Sequence, residues 1–182
     1  MKVSFSSLVI SALFATSMAQ AAGNAGDISA TLTITGNAVA DPQALCTVSA
    51  NANSVYLSGD ISNLINQGDT ANNMTFVPFH IKGNEQCSTL IEQGRISYRF
   101  TGTADTAEGT ALANSSTGEN AASGVAIGLF DNTGKPLKLN DTAIIASATQ
   151  NQGVGFQVVK LKDQNVTAGK VHGVLTVDIE RL

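Results

Sequence analysis

The sequence predicts an all-β protein, an antiparallel sandwich of immunoglobulin-like kind, on three observations. Short segments rich in Val, Ile, Thr, Phe and Tyr recur along the 182 residues, several alternating apolar and polar side chains as a half-buried strand must. Clusters of Gly, Asn, Asp and Ser separate them and supply turns. Only 13% of residues are charged, Trp is absent and 17 are Gly, a mix that suits about seven short strands better than a helical bundle.

The first segment is not part of that sandwich. Lys2 gives a short basic region, residues 8–18 are largely apolar, and Ala19, Gln20 and Ala21 place small residues at the positions a signal peptidase reads. Residues 1–22 are therefore expected to be a secretory signal peptide, cut after Ala21 or Ala22. A membrane anchor needs about 20 apolar residues, more than this run offers, and no later segment is long enough. About 160 residues remain, enough for one domain with a real core. Without Lys2 they hold nine basic and fourteen acidic residues, near −5, which argues against nucleic acid or an anionic membrane as partner.

Residues 27–40 open the processed chain. Ile28, Ala30, Leu32 and Ile34 alternate with Ser29, Thr31, Thr33 and Thr35, the period of a strand with one buried face. Gly36 falls on that apolar face, where a missing side chain marks close approach of another backbone. No hairpin turn links this strand to its neighbour in sequence. Its apolar face has to be buried, either in its own domain or in another molecule, and periodicity alone leaves both open.

Further strands follow in order. Residues 54–57 form a short one, ended by Ser58, Gly59 and Asp60; residues 61–66 are the one helical possibility, too short to matter. Residues 74–82 carry Phe76, Val77, Phe79 and Ile81, and Pro78 among them predicts an edge position or a bulge. In residues 94–100, Ile96, Tyr98 and Phe100 point inward, and Arg95, Ser97 and Arg99 outward. Residues 101–123 read as a long surface loop with room for a short strand. Residues 124–130 are apolar throughout. Asp131, Asn132, Thr133 and Gly134 make a turn, and residues 137–139 and 153–162 are extended again. In the last strand, 170–181, Leu175, Val177 and Ile179 share one face, and Thr176, Asp178 and Glu180 the other.

Cys46 and Cys87 are the two cysteines, and in an exported chain they are expected to form one disulfide. Closing that loop contributes about 4 kcal/mol in the chain-entropy picture. Neither has a second Cys or a His at metal-ligand spacing, so no metal or cofactor is expected. Catalysis has little support. His80 and His172 lie on predicted strands outside any nucleophile motif, and the acidic residues form no pair suited to acid–base work. Asn73, Asn114, Asn140 and Asn165 head glycosylation-type sequons, matches that chance supplies in so Asn- and Thr-rich a chain.

Taken together and in order, these residues resemble pilin subunits assembled by the chaperone–usher pathway, close to type 1 fimbriae. The resemblance covers nearly the whole processed chain. It rests on the alternating residues 31–36, on Cys46 with Cys87 some forty residues later, and on residues 100–105, 122–131 and 132–137. It also rests on the tail from Gly169, fourteenth from the C-terminus, to Leu182. One departure is visible: the family usually carries an aromatic residue, commonly Tyr, next to last, and here Arg181 stands there. The resemblance implies a sandwich of six own strands whose seventh is donated by another subunit, with residues 23–38 as donor extension and 39–182 as pilin domain. It implies that Ile28, Ala30, Leu32, Ile34 and Gly36 enter the groove of a neighbouring subunit. Gly169, Leu175, Val177, Ile179 and Arg181 would belong to the groove and chaperone-contacting strand. Implied partners are neighbouring pilins in a head-to-tail polymer, a periplasmic pilus chaperone and an outer-membrane usher. The implied destination is the bacterial cell surface, after passage through the periplasm. The function implied is that of a structural fimbrial subunit supporting adhesion; a tip adhesin or another secreted carbohydrate-binding module is the alternative. The usual two-domain adhesin is about twice this length and lacks the extension, and few aromatics are present to stack on sugars.

Overall fold

The structure, a computed structural model, describes residues 27–36, 39–40, 45–105, 109–141 and 143–182; the expected signal peptide lies outside them. Two curled sheets face each other across one apolar core, the arrangement expected of an immunoglobulin-like sandwich. In chain order the strands are β1 (Asp27–Gly36), β2 (Val39–Ala40), β3 (Leu45–Ala50), β4 (Ser54–Asp60) and β5 (Thr75–Gly83). After α1 (Glu85–Glu92) come β6 (Ile96–Thr101), β7 (Ala111–Ala113), β8 (Val125–Phe130), β9 (Ala143–Ile145), β10 (Gly153–Lys160) and β11 (Lys170–Arg181). The first sheet runs β4-β1-β11-β6-β9 and the second β2-β3-β5-β10-β8-β7. Ladders between these strands are antiparallel except one: β1 runs parallel to β11.

The alternation read from the sequence sets the faces. In β11, Val171, Leu175, Val177 and Ile179 are buried, while Lys170, Val174 and Arg181 are exposed. In β6, Ile96, Tyr98 and Phe100 enter the core, and Phe79 of β5 meets them from the opposite sheet, its ring centre 6.0 Å from that of Tyr98 and 6.1 Å from that of Phe100. Ser97, expected outward, does lie on the other face but is fully buried. Glu180 and Ile145 flank it in the adjoining strands and cover it.

β8 is buried along its whole length, which explains its unbroken apolar run. Ile127 and Leu129 face the main core. Ala126 and Phe130 form a second, smaller cluster with Ala111 and Val159 under Ile65, Ala71 and Met74 of the 61–74 segment. That segment lies so close to β10 that a Cβ on Gly155 would overlap the Met74 sulfur. Residues 61–66 are therefore an irregular strap over the sheet, not a helix.

The helix lies elsewhere, at α1, where the sequence reading placed no element. Its start is signalled by Asn84, whose side-chain oxygen accepts from the Cys87 N–H at 3.1 Å, and by Glu85 in the first turn. It serves to bring Cys87, its buried residue, to Cys46 on β3, and the two form the expected disulfide with Cα atoms 5.5 Å apart.

Pro78 lies where the ladders of β5 change over. β5 pairs with β10 up to Pro78 and with β3 from Phe79 onward, so the missing N–H falls where the partner changes. Phe79 then donates to the Gln152 carbonyl at 2.8 Å. Residues 137–139 are not a strand. The Leu137 N–H bonds the Leu129 carbonyl at 2.9 Å and both Leu137 and Leu139 are buried, while the strand falls later, at β9.

Candidate functional site

The site is the seam in the first sheet where β1 lies between β4 and β11. Its walls follow from alternation in the two flanking strands: Val55 and Leu57 of β4, and Leu175 and Val177 of β11, all turn inward. β1 fills the space between them. Ala30, Leu32 and Ile34 are 2%, 0% and 5% exposed, and they join the same core as the residues on either wall. The strand pairs with β11 from Ser29 opposite Lys170 to Gly36 opposite Val177. On its other edge it pairs with β4 from Asp27 opposite Asp60 to Thr33 opposite Ser54. On the outer face the Thr35 and Thr176 hydroxyls lie 3.0 Å apart and fix that register.

Among the described residues, β4 has no ladder partner in the first sheet except β1. Without β1 that sheet would keep only β11, β6 and β9, and the inward faces of β4 and β11 would stand apart with open backbone edges. The first described strand thus lies between two strands that come later in the chain.

The filling stops short at one end. β11 continues past Val177 to Arg181, whereas its pairing with β1 ends at Gly36. Beside that end lies a recess of about 260 Å³ whose lining includes Ile34, Val48, Ala50, Phe79 and Val177. At the other end, Gly169 precedes β11 where the chain passes against backbone: a Cβ there would stand 2.6 Å from the Ala122 nitrogen. The adjoining loop holds the start of β11. Asn114 donates through its side-chain nitrogen to the Ala122 and Lys170 carbonyls and accepts the His172 N–H at 3.0 Å.

Of the residues singled out in the sequence, Ala30, Leu32, Ile34, Leu175, Val177 and Ile179 come together in the core along this seam. Ile28 lies opposite Gly59 in the ladder, but its side chain is outside the described residues. Arg181 pairs with Ile96 at the exposed end of β11. The reading missed the role of β4 as the second wall. Residues 54–57 read as a short strand, but nothing in them says against which strand it pairs.

The two histidines stand apart from each other and from this seam's buried face. His80 is exposed, and the Nδ1 of His172 meets the Ser115 hydroxyl at 2.8 Å. Among the described residues no three His, Cys, Asp or Glu side chains gather as metal ligands, and no helix is long and apolar enough to cross a membrane.

Residues 34–180, most of this sandwich, match the family model described as fimbrial protein. The chain belongs to that family and is a fimbrial subunit. It is 30% identical over 183 residues to the laminin-binding fimbrial subunit ElfA of Escherichia coli O157:H7, covering 98% of each chain. Fimbriae are surface appendages built by polymerisation of such subunits, and the family is in general non-enzymatic.

Proposed function

We propose that this chain polymerises by donor-strand exchange: β1 leaves its own seam and enters the same seam of a neighbouring subunit. The observation that carries the reading is the position of β1, a terminal strand that alone bridges β4 and β11. Strand addition at an open sheet edge is the mode by which chaperones complement pilins. In this scheme residues 1–22 direct export, 23–38 are the donor extension and 39–182 the receiving domain. A periplasmic chaperone fills the seam first, an outer-membrane usher orders the exchange, and Gly169, Leu175, Val177, Ile179 and Arg181 contribute to the receiving strand. Ile28, Ala30, Leu32, Ile34 and Gly36 are the inserted residues.

The energetics suit such an exchange. Fully burying Leu32 or Ile34 is worth roughly 1.5–3 kcal/mol each, and each ladder hydrogen bond adds about 1 kcal/mol net. Set against a domain stability of about 5–15 kcal/mol, an empty seam is untenable and one filled by a neighbour is long-lived. Because the contact is head-to-tail and does not close on itself, it propagates into a fibre. The same strand seated in its own seam caps the subunit, so polymerisation requires its release. A role in adhesion is supported by the laminin-binding description of the relative.

The test is thermal unfolding of the domain lacking residues 22–38, with and without a synthetic peptide of residues 27–40. Donor-strand exchange predicts a bare domain that is unstable or aggregates, and a melting temperature raised by tens of degrees when the peptide is added. A bare domain that melts cooperatively at high temperature and ignores the peptide would overturn it.

A further inference from the structure

A second feature lies away from the seam, where the 61–74 segment crosses the end of β10. The two chains are joined there by backbone: the Gln67 N–H donates to the Lys160 carbonyl and the Lys160 N–H to the Ile65 carbonyl, both at 2.8 Å. Beside this crossing is a recess of about 620 Å³, within the range of small-molecule sites. None of its lining residues belongs to β1, β4 or β11.

The lining has a definite chemistry. Lys160 and Lys162 bring two ammonium groups, and neither has an ion-pair partner among the described residues. Gln164 and Asn165 bring exposed carboxamides, and Asn66 brings its Oδ1, its Nδ2 donating to Asp69 Oδ2 at 3.0 Å. Asp163, held in the left-handed region at φ 57°, is the one carboxylate among the lining residues, set against the two lysines, and Asp69 stands behind Asn66.

Gln67 supplies the independent sign of a ligand. It lines the recess, is only 9% exposed, and both its Oε1 and its Nε2 are buried without a hydrogen-bond partner. Buried amides are almost always satisfied, because an unpaired one keeps its full desolvation cost. A hydroxyl or acetamido group reaching past the flexible lysine and amide rim would give Gln67 the donor and acceptor that the chain withholds.

We propose that this recess binds an acidic saccharide, a sugar carrying a carboxylate or a sulfate, with Lys160 and Lys162 on the anion and the carboxamides on the hydroxyls. Charge-assisted bonds to two lysines fix the anionic group, and side-chain amides suit the mixed donors and acceptors of a sugar ring. The site needs no strand exchange, so it stands or falls apart from the mode of polymerisation.

The experiment titrates the purified chain with N-acetylneuraminic acid and with a sulfated disaccharide, following the side-chain amide resonances of Gln67 and Asn165, with uncharged N-acetylglucosamine as control. A saturable shift with at least one acidic sugar and none with the control is expected, and which of the two responds separates carboxylate from sulfate. Lys160→Gln with Lys162→Gln should weaken binding about tenfold or more, as loss of a charge-assisted bond does. Gln67→Met should also lose binding while its melting temperature holds or rises. Three results would each overturn the proposal: no saturable shift up to about 10 mM of either acidic sugar, an equal response to the uncharged sugar, or full binding by the lysine double variant. A Gln67→Met chain that melts lower yet binds normally would mean that Gln67 only holds an internal water, and would overturn it too.

Discussion

Two regions of this molecule bury apolar strands by opposite means. At the seam, the first sheet is completed by β1, the first described strand, held by two ladders, three buried side chains and one hydroxyl pair. Across the sandwich, the outer face of β8 and β10 is covered by the 61–74 segment, whose two ends are continuous with the strands beside it. That cover is fastened at several points. Ala71 donates to Gly134 at 2.8 Å, the Asn72 and Asn73 N–H groups donate to Gln157 Oε1 at 3.2 and 3.1 Å, and the Gln157 side chain returns a bond to Asn72 at 2.7 Å. The cover is continuous with strands at both of its ends, whereas β1 is continuous with the later strands at one end only and lies between two of them in the ladder.

The most severe way to break this contrast is Leu32→Asp. Leu32 is fully buried, and an unpaired carboxylate there costs on the order of 5 kcal/mol, some 10–20 °C of melting temperature for a domain of this size. The expected response is local. Hydrogen exchange at β1 and along the β1 edge of β11 should lose protection while β8 and β10 keep theirs. Uniform loss across both sheets would show that the seam is not separable. The matching change in the other region is Gly155→Ala, which pushes against Met74 and should cost about 1–3 kcal/mol as overpacking does. Met74→Ala in the same chain should recover part of that loss; a simple sum of the two penalties would mean that strap and sheet are not in the close contact described.

How much of this was legible beforehand differs between the two regions. The buried faces of β1 and β11 could be read directly, because a period of two assigns a face to every residue from Ala30 to Ile34 and from Leu175 to Ile179. The disulfide followed from two cysteines in an exported chain. What period cannot give is a partner or a direction, so neither the pairing of β1 with β4 nor its parallel course beside β11 was readable. The apolar run of β8 announced burial on both faces, but nothing in residues 61–74 pairs them with it except the bare Gly155 surface that Met74 needs. α1 was missed although Asn84 and Glu85 mark its start. A helix of eight residues with one buried side chain offers almost no 3.6-residue pattern, and here the disulfide and the cap hold it in place.

The joint between the two sheets gives a smaller test. Tyr98 of the first sheet stands beside Phe79 of the second, and burial pushes its phenol up to about 12. In the unfolded chain the phenol ionises near pH 10. The native state therefore favours the neutral form. The stability linked to Tyr98 is fully present below about pH 10 and is lost as pH rises from about 10 towards 12. Tyr98→Phe should flatten that part of the alkaline unfolding curve and leave the neutral-pH melting temperature nearly unchanged. An identical alkaline slope in the variant would assign the loss to another group.

The smallest effect sharpens the comparison most, because it reads register. Thr35 faces Thr176 in the ladder where β1 runs beside β11 with Gly36 next to Val177. In a double-mutant cycle of Thr35→Val and Thr176→Val, the coupling should be about 0.2–1 kcal/mol, as for other cross-strand hydroxyl pairs. Both side chains lie on the outer face, so the single changes leave the core intact and the cycle isolates the pair. A coupling of zero in the monomer would mean that β1 does not hold this register in solution. Measured again in an assembled fibre, the same cycle asks whether a strand donated by a neighbour keeps the register it holds at home. A retained coupling means that Thr35 still stands opposite Thr176 in the fibre, and a lost one that the strand has left the register in which the two hydroxyls lie 3.0 Å apart.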